Sequence, residues 1–182
     1  VDRIHVLDTG SKDSTVALAR ACGAEVHHMR WPGMAWQLGS ARNRALVLAD
    51  ADWNLILDGD EWIESGGASL RDSICQVRGL GVVQIQAAFS CAASTQPSID
   101  WITRLLPRGV CYVGAIHTQP DAALPRRRLP LVVGRDGYQP DAMQAKKGRH
   151  RDFLQAMLEQ AGGQDAYLSF FLSFQLGKDF EA

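Results

Sequence analysis

A chain of 182 residues, 46% of them hydrophobic, has room for one globular core and a short appendage. Its formal net charge of −1 argues against a general nucleic-acid binder, which carries a clear basic excess. No apolar run approaches the roughly 18 residues that a membrane-spanning helix requires.

Arg3-Ile4-His5-Val6-Leu7 predicts a short, mostly buried strand. It lies so close to Val1, and Phe180-Glu181-Ala182 closes so abruptly, that the chain reads as a fragment. Thr9 to Ser14 is turn chemistry, with Ser11 or Asp13 as cap of the next helix. That helix is expected over Thr15 to Cys22, stopped by Gly23, before a strand over Glu25-Val26-His27-His28. Leu38 to Asp50 reads as a helix with its apolar stripe on Leu38, Ala41, Ala45, Leu48 and Ala49. The strand Asn54-Leu55-Ile56-Leu57 completes a β-α-β-α-β run, the pattern of a parallel sheet with right-handed crossovers.

Farther on, Val82 to Ala87 alternates as a strand with one wetter face does, and Trp101 to Leu106 and Cys111 to Val113 are further strands. Pro120, Pro125 and Pro130 surround Arg126-Arg127-Arg128, so 120–130 reads as loop and the arginine run as solvated surface. Phe153, Leu154, Met157, Leu158 and Ala161 recur at helix spacing up to Gly162-Gly163, and Tyr167 to Leu176 forms a second helix. The expected division is an α/β domain over 1–140, N-terminally incomplete, and C-terminal helices over 141–182. Cys22, Cys75, Cys91 and Cys111 show no close pairing and read as buried, reduced thiols. With no signal-peptide pattern, the expected location is cytoplasmic, at most on the inner face of a membrane.

The functional signals sit where strands stop, which in an open α/β sheet is where ligands bind. The first strand ends in Leu7-Asp8-Thr9-Gly10-Ser11, and the third runs into Asp58-Gly59-Asp60-Glu61. Two carboxylates one glycine apart can face a hard cation together, and a cation there can hold a diphosphate. A solvated turn is the plainer alternative, since Asp and Gly are ordinary turn residues. Asp8 can accept a hydrogen bond from a base N–H or a ribose hydroxyl, or simply cap the helix entry. Arg42 can reach a phosphate with its forked donors, or pair with Asp50 or Asp52. His117 suits a general base, a metal ligand or a structural role, and Asp121 is a weaker candidate. Glu61 can steer a neighbouring aspartate, and Trp62 can stack on a sugar or lie partly buried. His27-His28 reads as strand surface rather than a metal pair, because adjacent strand residues point to opposite faces.

Taken in order, Leu7-Asp8-Thr9-Gly10-Ser11-Lys12-Asp13-Ser14-Thr15, Ala41-Arg42-Asn43 and Leu57-Asp58-Gly59-Asp60-Glu61 resemble the family 2 glycosyltransferases. Arg104-Leu105-Leu106-Pro107-Arg108, Gly114-Ala115-Ile116-His117 and Gly137-Tyr138 add to the likeness. The closing Tyr167-Leu168-Ser169-Phe170 and Gly177-Lys178-Asp179-Phe180 are similar to the subgroup whose catalytic domain precedes tetratricopeptide helices. The resemblance implies an α/β GT-A fold, a Rossmann-like, mostly parallel sheet flanked by helices, with a strand upstream of Val1. It implies a nucleotide-sugar donor, a UDP-sugar foremost, an inverting transfer aided by Mg²⁺ or Mn²⁺, and a sugar, lipid or protein acceptor. It assigns Asp8 to the base or ribose, Asp60 to the metal, and Asp58 to the ribose or the waters of the metal. Three positions depart from the family: Thr118 where Glu is frequent, Arg135 where His is frequent, and Gln37-Leu38 where Asp-Phe is frequent. The first two favour an alternative reading, a transferase-like domain that binds and scaffolds without catalysis.

Overall fold

The computed structural model describes residues 1–30, 38–87, 98–114 and 118–136, together with 154–155, 157–159, 169–170, 172–174 and 176. The chain divides into two units, one of Val1–Ala87 with Ser98–Arg135, the other of Ala88–Pro97 with Asp136–Ala182.

The first unit opens with β1 (His5–Asp8), α1 (Thr15–Ala21) and β2 (Glu25–His28), the two strands pairing in parallel. Asp13 accepts the Thr15 N–H at 3.0 Å at the start of α1, and Gly23 takes the left-handed conformation (φ 81°) just past its end. Next come α2 (Leu38–Ala49), β3 (Trp53–Leu55), β4 (Glu61–Ser65) and α3 (Leu70–Cys75). They are followed by β5 (Leu80–Ala87), β6 (Ser98–Pro107), β7 (Tyr112–Val113), β8 (Gln119–Pro120) and β9 (Arg126–Arg135).

The expected mostly parallel sheet is replaced by a mixed one. β3 does not extend the β1–β2 ladder but lies at one edge of a five-stranded sheet of order β3-β6-β5-β9-β4. Within that sheet only β5–β9 is parallel. A run of apolar residues reports that a strand is buried, whereas its direction depends on which neighbours arrive, and here β6 returns antiparallel along β3 and β5. β5 is central, with Leu80 and Val83 fully enclosed, and from Val83 on it alternates as expected, Ile85 and Ala87 buried and Gln84 and Gln86 only partly so. On one side of the sheet Val83, Ile85, Leu105, Leu129, Leu131 and Val133 form the main core, while Leu80, Leu106, Val110 and Tyr112 form a second cluster.

The arginine run is strand, not loop. Leu129, Leu131 and Val133 recur at period two and are 3%, 1% and 0% exposed, so burial draws 126–135 against β5. Pro130 falls where the ladder skips from the Val82–Arg128 pair to Gln84–Val132, an irregularity that tolerates a missing N–H. Arg128 lies 4.4 Å over the Trp101 ring, and Arg127 donates to the Gln76 carbonyl at 3.1 Å.

Sheet order also explains how the acidic turn meets its partners. β3 and β4 are opposite edges, separated by four strand spacings of about 4.8 Å each. The six steps from Leu55 to Glu61 reach at most about 20 Å when straight, and the last of them are folded into a turn. The sheet therefore curls, bringing the ends of β3, β6, β9 and β4 together.

The thiols depart from expectation as well: Cys22, Cys75 and Cys111 are free but exposed, because α1 has no buried face and the other two lie beside strand and helix ends. Cys91 lies outside the described residues.

In the second unit, residues 154–155, 157–159, 169–170 and 172–174 are helical, with Leu154 and Leu172 buried. Phe170 and Phe174 stack with ring centroids 6.4 Å apart. Phe153, Ala161, the pair Gly162-Gly163, Tyr167 and the boundary near 140 lie outside the described residues. Among the described residues no helix is long and apolar enough to cross a membrane.

Candidate active site

The strand end at β3 leads into the turn Asp58–Glu61, closed twice. Glu61 donates its N–H to the Asp58 carbonyl at 3.0 Å, and the Asp58 N–H returns to Glu61 Oε2 at 2.9 Å. This reciprocal pair fixes the Glu61 carboxylate against the backbone of the turn. Asp58 Oδ1 accepts from Arg42 at 2.6 Å, and Oδ2 from Arg104 at 2.8 Å and Arg135 at 3.2 Å. The enclosed Glu61 carboxylate accepts from Arg104 and Arg135 as well.

Three guanidiniums thus face two carboxylates. Burial pushes the Asp58 carboxyl up, but Arg104 and Arg42 outweigh it and hold the group at about 2. For Arg104, only 2% exposed, burial opposes the charge and the two carboxylates more than restore it. Burial also raises the Tyr112 hydroxyl. The Nε atoms of Arg42 and Arg104 and the Tyr112 hydroxyl are buried with no hydrogen-bond partner.

Ala41-Arg42-Asn43 is legible residue by residue. Ala41 is buried. Arg42 crosses to Asp58, donates to Thr118 Oγ1 at 2.6 Å and lies 5.2 Å over the Tyr112 ring. Asn43 grips β7, giving Nδ2–H to the Tyr112 carbonyl at 2.9 Å and accepting its N–H at 2.7 Å. Asp50 and Asp52, the alternative partners of Arg42, are taken by Arg108 instead.

Asp8 has its own setting. It is 8% exposed at the end of β1, accepts the Ser11 N–H at 3.0 Å, and lies 3.2 Å from His28 Nδ1. Hydrogen bonding from Ser11, with help from His28, holds its carboxyl at about 2. Arg20 approaches the far nitrogen of His28 at 3.3 Å. The partners of Asp8, Ser11 and His28, are thus different from those of Asp58. Trp62 is 43% exposed, donates to Glu64 at 2.6 Å, and covers Gly134, where a Cβ would come within 2.4 Å of the indole. His117 lies outside the described residues, and Asp121 makes a backbone hydrogen bond to Cys111 at 2.8 Å.

Arg104, Arg135 and His28 are the partners that sequence reasoning left without roles. An arginine that leads into two apolar strand residues, as Arg104 does before Leu105 and Leu106, is itself a signal, since a buried charge there demands a paired carboxylate. His28 is in register with Asp8, so two adjacent strand ends were the available clue.

A divalent ion can be tested against these groups. Both oxygens of Asp58 already accept guanidinium hydrogens, whereas among the described residues no hydrogen bond or ion pair reaches the half-buried Asp60. That set does not make an all-protein cage. It fits an octahedral ion held by one carboxylate, waters and the phosphates of a substrate, the usual habit of Mg²⁺.

Residues 1–68 match the model of the family described as Glycosyl transferase family 2. Over 61 residues the chain is 48% identical to a TPR repeat-containing protein of Synechococcus elongatus, a match covering 34% of this chain and 14% of that relative. The chain thus spans a small part of the relative's length. Arg104, Thr118 and Arg135 lie beyond the matched segment. The resemblance read from the motifs is found again over β1 to β4, where residues 1–68 match the family model, and the relative's own name, TPR repeat-containing, is consistent with the subgroup.

Proposed function

We propose that the protein containing these residues transfers a sugar from a nucleotide-sugar donor, a UDP-sugar foremost, to an acceptor hydroxyl, with inversion and with Mg²⁺ or Mn²⁺. The observation that carries this reading is the cluster of guanidiniums gathered on Asp58, two residues from Asp60, to which no other described residue makes a hydrogen bond or ion pair. Breaking the bond between an anomeric carbon and a diphosphate oxygen builds negative charge on the leaving group. The ion, bound by Asp60 and phosphate, supplies Lewis-acid stabilisation of that charge. Arg42 donates to the same phosphates with its forked guanidinium. Asp58 orders the three guanidiniums and offers its remaining lone pairs to the ribose. Asp8, at the end of β1, accepts from the base or ribose. His117 takes the acceptor proton, since Thr118 has no basic group and its hydroxyl already accepts from Arg42. The acceptor is a sugar, a lipid or a protein.

The test is titration of the complete protein with UDP-, GDP- and CDP-sugars, with and without Mn²⁺, following both binding and transfer. Metal-dependent transfer from one donor supports the proposal; metal-independent transfer removes the ion from it. Nucleotide binding without transfer to any acceptor supports the scaffold alternative. With an active donor in hand, a His117 base predicts that activity falls as pH drops through roughly 6–7 and that His117→Gln loses this limb. An unchanged limb in a folded variant removes His117 from the mechanism.

A further inference from the structure

We propose a second cation site, for zinc, on the β1–β2 pair and independent of the transferase reading. The parallel register sets His5 against Glu25 and Leu7 against His27, so His5, Glu25 and His27 share one face of the two strands. The adjacent-residue argument against a His27-His28 pair does not apply to them, because the partner of His27 comes from the other strand. His5 Nδ1 lies 3.2 Å from His27 Nε2 and 3.8 Å from Glu25 Oε2, and one ligand atom from each residue falls within 4.8 Å of the others.

Two imidazole nitrogens cannot both aim lone pairs across so short a gap unless something electrophilic lies between them, a proton or a metal ion. A proton bridges two of the three donors. A tetrahedral ion bridges all three, and nitrogens bound to zinc at about 2.0–2.1 Å are themselves about 3.3 Å apart. Two imidazoles and one carboxylate form a ligand set that zinc accepts readily, with a fourth position left for water. The His5 side chain is 10% exposed and the Glu25 side chain 56%, so one ligand is held in place and the ion enters from the Glu25 side. Bound there, zinc ties the start of β1 to β2, whose far ends carry Asp8 and His28.

The experiment uses the complete protein, stripped with a chelator and titrated with zinc chloride alone, with thermal melting and the visible spectrum of a Co²⁺ replacement as parallel readouts. The expected result is a site that raises the melting temperature and weakens by about tenfold or more in His27→Gln and in Glu25→Gln. Both residues have partly or largely exposed side chains, so these variants remain foldable where His5→Gln need not. Asp60→Asn separates the two cation sites: it should abolish any Mn²⁺ effect on donor binding and leave zinc affinity unchanged. The proposal is overturned if folded wild type takes up no zinc, if both variants bind it as wild type does, or if zinc uptake disappears in Asp60→Asn.

Discussion

Asp8 ends β1 and Asp58 opens the turn between β3 and β4, and both hold their carboxyls at about 2, yet they do so by different means. Asp8 is served by its own neighbourhood, Ser11 three residues on and His28 across the ladder. Asp58 depends on guanidiniums from α2, β6 and β9, the last of them 77 residues away in sequence. The first carboxylate can be assembled by one β-α-β unit. The second exists only when the five-stranded sheet has curled and closed, so damage to the core reaches Asp58 and not Asp8.

The largest effect should come from cutting that long-range support. In Arg104→Ala, the fully enclosed Glu61 carboxylate loses one of its two guanidiniums, and Asp58 loses one of its three. Breaking a buried pair from one side costs about 3–5 kcal/mol. Denaturant unfolding should show a loss of that size, and a loss below about 1 kcal/mol would mean that Glu61 is protonated or hydrated instead. Next in size is Asp60→Ala in the complete protein, expected to slow transfer at least about a hundredfold with little change in stability. Because no described group pairs with Asp60, this variant isolates chemistry from folding, which Asp58→Ala cannot do. Wild-type turnover in a folded Asp60→Ala protein would reduce the acidic turn to a turn.

Much of this arrangement was legible in the sequence, and the boundary of legibility follows the same division. Gly23 after α1, the strand at Glu25–His28 and the acidic turn were readable because caps, periods and turn residues are local signals. What failed was set by distant neighbours. Strand direction in the main sheet depends on β6 returning past β3. The prolines around Arg126 to Arg128 outweighed the period-two leucines that put the segment into β9. Arg42 was placed on the right helix, but its choice of Asp58 over Asp50 depends on Arg108 having claimed the latter.

The two carboxylates can also be compared by acid titration. Each has a folded pKa below its unfolded value, so each contributes stability that is fully present above about pH 4 and is lost as pH falls towards 2. For Asp58 the shift corresponds to about 2 kcal/mol. Stability measured from pH 5 down to pH 2 should fall less steeply in Asp58→Asn than in wild type. Adding Arg42→Met to Asp58→Asn should bring little further flattening, since the two act as one pair. Asp8→Asn should flatten the same window independently and additively. Non-additivity between Asp8 and Asp58 would show that the two strand ends are coupled after all.

The smallest effect sharpens the contrast within a single segment. Arg104 and Arg108 lie four residues apart in Arg104-Leu105-Leu106-Pro107-Arg108, and both pair with two acidic residues. Arg108 is about half exposed, and its partners Asp50 and Asp52 are 77% and 89% exposed. Water screens these charges, and exposed pairs typically contribute under about 1 kcal/mol. Some of the value of Arg108 is not ionic, because it also donates to the Asp50 carbonyl at 2.9 Å, just past the end of α2, where Asp50 sits at φ 42°. Arg108→Ala should therefore cost a fraction of what Arg104→Ala costs. Raising the salt concentration should shrink the Arg108 effect towards the part due to that carbonyl, while leaving the Arg104 effect nearly unchanged. Equal salt sensitivity in the two variants would mean that the cluster around Asp58 is as open to water as the surface pair, and would remove the physical basis for treating it as the site.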